Sequence, residues 1–226
     1  MYSQTKGIVL SSVKYSETSI ISKIYTAEMG LQSYIANGVR KKNGGKAYYQ
    51  PLNIVELTAY CKKPDGLHRI KEIKIPTTYC SIPYNLLKSS VALFLSEVLI
   101  KCLKEEEKNE DLFNFLECSL IDFDRNDFNE EFHIQFLVGL SYFLGFFPNM
   151  EKSNLQYFDL INGCFSDNKN GHKHFIDNSE DLLSALKLKP VKNKRAILNY
   201  ILMYYQIHVE GFGNIKSKNV LKKVLR

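Results

Sequence analysis

Residues 37–46 carry the strongest chemical signal in the 226-residue chain. They read Asn-Gly-Val-Arg-Lys-Lys-Asn-Gly-Gly-Lys, so ten positions hold four cations and three glycines. Glycine at this density opposes regular structure, which predicts a flexible loop. Lysine and arginine on such a loop can follow a phosphate backbone and displace its counterions. The segment therefore predicts a polyanion-binding loop centred on Arg40, Lys41 and Lys42.

Tyrosines and a second pair of lysines flank this loop in the sequence. Tyr15, Tyr48 and Tyr49 offer flat rings that can stack on bases. The alternative is that these rings pack the ends of a small barrel. Lys62 and Lys63 begin a Pro-Asp-Gly turn and are weaker candidates, because lysines at hairpin tips commonly serve solubility.

Two further basic clusters lie near the C-terminal end. The first cluster is Lys192, Lys194 and Arg195. It opens a predicted helix, where the helix dipole disfavours cations, and this indicates a use such as an acidic partner. The second cluster is Lys216, Lys218 and Lys222, on a short amphipathic helix that Ser217 can cap. That helix either extends a nucleic-acid track or docks with its charged face in solvent.

The net charge of +6 is distributed unevenly along the chain. Residues 1–80 hold 12 lysines and arginines against 5 acidic residues, a net charge of +7. Residues 81–191 hold 10 against 18, and residues 192–226 hold 8 against 1. Basic ends around an acidic middle suggest a polyanionic partner for the ends, although a solvated surface would have the same composition.

Signatures of catalysis are missing. The chain has no GxGxxG after a strand, no P-loop, no HExxH and no GxSxG. His172 and His174 stand near Cys164, but the spacing matches no standard zinc pattern. The five cysteines are an odd number without CxxC spacing, which argues against a disulfide framework. We therefore expect a protein that is not an enzyme and uses no metal or cofactor.

Hydrophobic periodicity divides the chain into a β-rich part and a helical part. Five short strands at hairpin spacing fit a small closed barrel, either an OB-fold or an SH3-like barrel. From Pro83 the apolar residues change to helical spacing. We predict an α+β protein with a barrel domain at 1–80 and a helical domain at 81–226, the latter interrupted by an irregular insert at about 149–178. The predicted strands are 6–13, 19–26, 31–36, 52–60 and 67–75, and the predicted helices are 87–102, 112–123, 132–143, 180–186, 192–208 and 218–225.

Composition is that of an ordinary globular protein, with 45% hydrophobic and 24% charged residues. The N-terminus has no apolar signal core, and the longest apolar stretches are too short to span a bilayer. We expect a soluble, cytoplasmic protein that does not bind membranes.

An ordered set of short motifs resembles the RecO family of bacterial recombination mediators. The set comprises Lys6-Gly-Ile-Val-Leu10, Lys14-Tyr-Ser-Glu17, Ala36-Asn-Gly-Val-Arg-Lys-Lys42, Gln50-Pro51-Leu52 and Phe143-Leu-Gly-Phe-Phe-Pro148. No single motif is very specific to the family, but the order of the motifs along nearly the whole chain is specific.

The resemblance implies a function in DNA repair and recombination. It implies an N-terminal OB-fold that binds single- and double-stranded DNA, annealing of complementary strands, and cooperation with RecR in loading the recombinase RecA. The helical domain would receive the acidic, hydrophobic C-terminal tail of single-strand-binding protein, and the protein would be associated with the nucleoid. Arg40, Lys41 and Lys42 match the basic loop of the family, and Lys14 and Lys46 are adjacent candidates for DNA binding.

One departure from the family concerns zinc. Many RecO proteins carry a four-cysteine zinc site after the LGFxP segment. Here Ser153 falls where a first cysteine is expected, and only Cys164 remains. We therefore expect packing around the aromatic residues of 149–178 to replace the metal. Those aromatic residues are Tyr157, Phe158, Phe165 and Phe175.

Three other functions remain open from the residues themselves. An RNA-binding barrel would use the same basic loop and stacking aromatics. A protein adaptor would use the basic ends to hold acidic partner tails, with only weak DNA binding. A hydrolase with a site assembled from scattered residues has no support in the sequence. The acidic middle around Glu105–Asp111 is either a contact surface or a solubilising segment.

Overall fold

Alternation of apolar and polar residues builds five strands in the first third of the chain. The computed structural model describes residues 2–42, 44–61, 66–104, 108–169, 171–177 and 179–225. The strands are β1 (Tyr2–Lys14), β2 (Ile20–Thr26), β3 (Gly30–Ala36), β4 (Ile54–Tyr60) and β5 (His68–Lys74). Each predicted strand is present.

The five strands close into a barrel in the order β1-β2-β3-β5-β4, with β4 pairing back onto β1. β3 and β5 run parallel, pairing Tyr34 with His68 and Ile35 with Arg69, while every other pair is antiparallel. This closed five-stranded barrel is OB-like, as predicted.

The barrel interior is filled by side chains from alternate strand positions. Val9, Ile24, Tyr34 and Val55 are fully buried at its centre. The register between β1 and β2 shifts between Val9 and Ser11, and a bulge of this kind bends a strand. One long strand can therefore pair with β4 along its first half and with β2 along its second half.

In the part of the chain that the structure describes, six helices follow the barrel. They are α1 (Leu86–Cys102), α2 (Glu110–Arg125), α3 (Phe132–Phe143), α4 (Glu180–Leu186), α5 (Lys194–His208) and α6 (Lys218–Val224). Asparagine caps begin three of them, because the Asn85, Asn109 and Asn193 side chains accept amide hydrogen bonds from the first turn. Within the described residues, no helix combines the length and apolar content needed to cross a membrane.

The start of α6 differs from the prediction. Ser217 occupies the capping position, but its hydroxyl does not bond to the helix. The Glu97 carboxylate of α1 accepts hydrogen bonds from the Ser217 hydroxyl at 2.6 Å and from the Ser217 and Lys216 amides at 2.8 Å. A carboxylate from a distant part of the chain therefore satisfies this helix end, and local sequence could not show that.

The region predicted as irregular contains a small sheet. β6 (Tyr157–Asp159), β7 (Cys164–Ser166) and β8 (Phe175–Ile176) pair antiparallel in the order β7-β6-β8. Phe158 and Phe165 are buried with ring centroids 5.1 Å apart. Strands of two or three residues are too short to produce a readable alternation, so the prediction for this region was wrong.

Two compact units result. One comprises residues 1–128 and 215–226, which are the barrel with α1, α2 and α6. The other comprises residues 129–214, which are α3, α4, α5 and the small sheet. The division into domains at residue 80 stays a prediction, and in the structure the barrel shares its compact unit with the first two helices and α6.

Candidate nucleic-acid interface

One end of the barrel carries a groove lined by cations. We call it the basic groove. It has a volume of about 300 Å³ and is bordered by Lys14, Arg40 and Lys46. Lys14 ends β1, and the other two cations belong to the segment between β3 and β4. The barrel thus brings Lys14 together with two predicted DNA-binding residues from a later segment of the chain.

The loop that supplies these cations is built from turns. The Lys41 amide donates to the Gly38 carbonyl at 3.1 Å, and the Gly44 amide donates to the Lys41 carbonyl at 3.0 Å. A 3₁₀ helix, Lys46–Tyr49, follows directly. The described part of the loop therefore presents its lysines from a backbone with internal hydrogen bonds.

Arg40 holds the loop against the turn between β1 and β2. Its Nη1 atom donates to the Ser16 and Glu17 carbonyls, both at 2.9 Å, and its amide donates to the Thr18 carbonyl at 3.0 Å. The guanidinium is half-buried at the edge of the basic groove. Arg40 therefore has a scaffolding role that the sequence did not reveal, in addition to its charge.

Two lysines that line the groove and two on the loop beside Arg40 keep their charges available. Lys14, Lys41, Lys42 and Lys46 are all exposed. In the part of the chain that the structure describes, none of the four forms an ion pair. Unpaired cations close together raise the local positive potential, which attracts an anionic ligand.

The three tyrosines proposed for stacking lie in different environments. Tyr15 is 59% exposed and Tyr48 is 37% exposed, so both rings have an open face. Tyr49 is only 6% exposed and packs with Ile20 and Val39 beneath the basic groove. Burial raises the pKa of the Tyr49 hydroxyl to about 12, with a smaller contribution from Tyr48. Stacking on a base needs an open ring face, so the low exposure of Tyr49 favours the alternative that its ring packs in the barrel.

The turn at residues 50–53 forms a rigid wall of the basic groove. Leu52 lies in the left-handed region, with φ of 64°, which is unfavourable for a non-glycine residue. The Leu52 amide donates to the Val9 carbonyl at 2.6 Å, and the Tyr79 hydroxyl donates to the Leu52 carbonyl at 2.7 Å. Sequence reasoning found the Gln50-Pro51-Leu52 motif only through the family resemblance, because nothing local indicates a left-handed leucine.

Gly44 determines the shape of the loop. A Cβ atom added there would collide with the carbonyl oxygens of Gly38 and Val39. We expect Gly44→Ala to displace the loop, to lower the free energy of unfolding by about 1–3 kcal/mol and to weaken binding of a single-stranded oligonucleotide. Chemical denaturation and fluorescence polarisation measure the two effects.

Gly145→Ala is the control for this prediction. Gly145 has φ of +79° but nothing within 4 Å of an added Cβ, so its replacement costs only about 1 kcal/mol of backbone strain. It should leave oligonucleotide affinity unchanged. If Gly44→Ala matches the wild type in both measurements, the loop does not have this packed conformation.

Several predicted basic residues lie elsewhere. Lys62 and Lys63 fall outside the described residues, as do Glu105, Glu106 and Glu107 of the acidic segment. Lys216 and Lys222 are exposed in the unit that contains the barrel, whereas Lys218 is half-buried. Burial lowers the pKa of the Lys218 ammonium, with a further contribution from Lys222.

The cluster at the start of α5 belongs to the second unit. Lys192 and Arg195 are exposed. The Lys194 ammonium donates to the Glu130 carboxylate at 2.6 Å, and this hydrogen bond raises the pKa of Lys194. The Glu130 partner offsets the unfavourable cation at the helix start, so Lys194 needs no external anion.

The residues around the small sheet do not fit a zinc site of the four-cysteine kind. Cys164 is the one thiol there. The Asp159 carboxylate already accepts hydrogen bonds from the Ile161 and Asn162 amides and lies 3.3 Å from His172 Nε2. Among the described residues, no three histidine, cysteine or acidic side chains lie where they could hold a metal ion. Strand pairing and buried aromatic rings organise this region instead.

Fold and groove together define a class of protein. It is a closed OB-like barrel that carries a basic groove at one end and is joined to helices. Family models match nearly the whole chain: "Recombination protein O N terminal" at residues 1–79 and "Recombination protein O C terminal" at residues 83–219.

Curated relatives lead to the same family. Proteins named DNA repair protein RecO from Flavobacterium psychrophilum and Flavobacterium johnsoniae are 36% and 35% identical over 237 residues, covering 99% of this chain and of each relative. The protein of that name from Bacteroides fragilis is 34% identical over 240 residues with the same coverage. The chain belongs to the RecO family.

Proposed function

We propose that this chain acts in DNA repair by binding single- and double-stranded DNA through the basic groove and annealing complementary strands. The observation that carries the proposal is a set of four exposed lysines, two lining the basic groove and two on its loop, none of which forms an ion pair within the described residues. Membership in the RecO family supports it, as does the name DNA repair protein RecO that the relatives carry.

The chemistry that these residues offer is charge neutralisation. Lysine ammonium groups contact phosphates without reading base edges, so binding is not specific for sequence. Each neutralised phosphate releases a counterion, and reduced repulsion lets two complementary strands approach each other. Annealing makes and breaks no covalent bond, so we propose a protein without enzymatic activity.

Partner proteins complete the proposal. We propose cooperation with RecR and delivery of DNA coated by single-strand-binding protein to the recombinase. The acidic, hydrophobic tail of that coat protein would be received by the helical unit. Exposed Lys192 and Arg195 offer charge complementarity there, and exposed Tyr142 and Phe147 offer apolar surface. Exposed cationic and apolar side chains in this unit match the acidic and hydrophobic character of the tail, and this match supports the proposal.

A salt series with a loop variant tests DNA binding. For about four to six phosphate contacts on a single strand, the slope of log affinity against log salt should be roughly −3 to −4. Lys41→Ala/Lys42→Ala should weaken binding and make the slope shallower by about 1.4. Arg40 is kept, because its removal would release the turn at residues 16–18.

Lys187→Ala/Lys189→Ala is the matched control. Both lysines are exposed and belong to the other compact unit, so this variant removes the same charge without touching the basic groove. It should keep the wild-type slope. Absence of salt-dependent binding by the wild type would contradict the proposal and favour a protein adaptor. Clearly tighter binding of an RNA strand of the same sequence would favour an RNA-binding protein.

A further inference from the structure

A second, larger groove lies beside the basic groove in the same compact unit. We call it the apolar groove. It has a volume of about 590 Å³ and lies between the 3₁₀ helix region of the barrel and the start of α1. Pro51, Tyr79, Pro83, Tyr84 and Leu93 line it, and no lysine or arginine of the described ranges is among its lining residues. Its size and composition are those of a site for a small, flat, mostly apolar group.

The two grooves share a wall. Gln50 and Pro51 line both of them. The turn that carries these two residues is fixed on both sides, because the Asn53 side chain donates to the Ala47 carbonyl at 2.7 Å and the Tyr79 hydroxyl holds Leu52. A ligand that occupies the basic groove can therefore extend over a rigid ridge into the apolar groove.

Tyr84 is the open aromatic face of the apolar groove. Its side chain is 82% exposed, although tyrosine normally buries much of its ring. Tyr49 lines the basic groove but is only 6% exposed, so most of its ring packs into the core. Proteins that hold single strands combine a cationic track for the backbone with aromatic faces for the bases. The two adjacent grooves separate these two chemistries in space.

From this arrangement we infer that the apolar groove receives unpaired bases of a single strand whose phosphates lie in the basic groove, with Tyr84 as the stacking residue. The inference rests on the proposed DNA binding and extends it, because it adds a preference for unpaired bases. A duplex keeps its bases stacked on one another, so it can use the basic groove but not the apolar groove. An apolar peptide would fill the apolar groove without needing the cations.

The absence of tryptophan from the chain gives a direct test. Tyr84→Trp places a single indole in the apolar groove, and stacking on a base should quench its emission. The full-length variant is titrated with a single strand, with a strand of equal length made of abasic residues, and with a duplex. Quenching is expected with the base-containing single strand only. Tyr142→Trp, at an exposed tyrosine of the other compact unit, should report no quenching with any of the three.

Affinities then separate this inference from the proposed function. Tyr84→Ala should lower the affinity for the base-containing single strand about tenfold, and leave the abasic strand, the duplex and the salt slope unchanged. One outcome would overturn the inference and leave the proposed function standing. In that outcome the wild type binds all three ligands, the emission of Tyr84→Trp is not quenched, and Tyr84→Ala binds the base-containing strand as tightly as the wild type. Failure of the wild type to bind any of the three would overturn both. Because Tyr84 is so exposed, thermal unfolding of both variants should match the wild type.

Discussion

Replacing Asp124 with alanine is expected to lower the free energy of unfolding by about 3–5 kcal/mol. Asp124 lies at the end of α2 and is only 5% exposed. Its carboxylate accepts hydrogen bonds from the Cys80, Ser81 and Ile82 amides at 2.8–2.9 Å. Removing it leaves three amides without their acceptor at the junction between the barrel and α1.

A buried lysine makes this loss larger. Lys88 is 3% exposed, and its ammonium donates to the Ser81 hydroxyl at 2.7 Å and to the Asp124 carbonyl at 3.1 Å. The same Ser81 hydroxyl donates to Asp124 Oδ1 at 3.2 Å, so removing the carboxylate takes negative charge from the surroundings of a buried ammonium. Uncompensated buried charge is among the most destabilising changes that a single substitution can cause.

Lowering the pH should remove the stabilising contribution of the Asp124 carboxylate. Burial by itself raises the pKa of the Asp124 carboxyl, but the hydrogen bonds from the Ile82, Cys80 and Ser81 amides outweigh burial and lower the pKa to about 2. The unfolded carboxyl titrates near its ordinary value of 3.8. Its stabilisation is therefore complete above about pH 5 and is lost as the pH falls through 4 towards 2.

Denaturant titrations of two further variants complete this test. Asp122→Ala removes an exposed carboxylate two residues before Asp124 in α2. It should change the free energy of unfolding by less than about 0.5 kcal/mol. Asp124→Asn retains an acceptor without charge and should fall between the alanine variant and the wild type. Equal stability of Asp124→Ala and Asp122→Ala would show that the hydrogen-bond network at Asp124 contributes nothing.

Acidification from pH 7 to pH 4 is expected to cost the unit of residues 129–214 about 3 kcal/mol of stability through His133. His133 lies in α3 and is 3% exposed. Burial lowers its pKa to about 4, with a smaller effect from Lys194. Between pH 6.5 and pH 4 the unfolded chain therefore binds a proton that the folded chain does not. Protonation favours unfolding across this window, while the contribution of His133 is constant above it.

His133→Gln is the variant that isolates this effect. Glutamine retains hydrogen-bonding atoms but does not titrate, so the variant should lose about 3 kcal/mol less than the wild type between pH 7 and pH 4. Exposed His174→Gln is the control and should follow the wild type. Parallel pH profiles for the wild type and His133→Gln would refute the assignment. Amide hydrogen exchange locates the change within residues 129–214, which matters because a chain with two compact units need not unfold in one step.

Local patterns predicted most elements well because each strand or long helix packs one face against a core. The alternation in Leu31–Ala36 and the stripe from Leu87 to Cys102 both report such a face, and both elements are present. The small sheet at 157–176 escaped prediction because strands of two or three residues carry no period. The capping of α6 by Glu97 escaped for another reason, since its partners are 119 and 120 residues apart.

The candidate site shows the same division. Composition alone identified the basic loop, because four cations and three glycines in ten residues have little use in a core. Composition did not show that Arg40 braces the turn at Ser16 and Glu17, or that Tyr49 is buried while Tyr48 is open. Neighbouring tyrosines in the 3₁₀ helix point in different directions, and only the packing of the barrel decides which one reaches solvent.

By itself, the sequence determined the α+β class, the five barrel strands, the helices and the location of the basic loop, because these follow from periodicity and composition over short stretches. Tertiary structure decided the strand order that sets β3 beside β5, the meeting of Lys14 with Arg40 and Lys46, and the ridge at Gln50 and Pro51 that joins two grooves. Each of these depends on contacts between residues that are distant in the chain. Such contacts contribute to stability only when the barrel closes, so no short stretch of sequence predicts them.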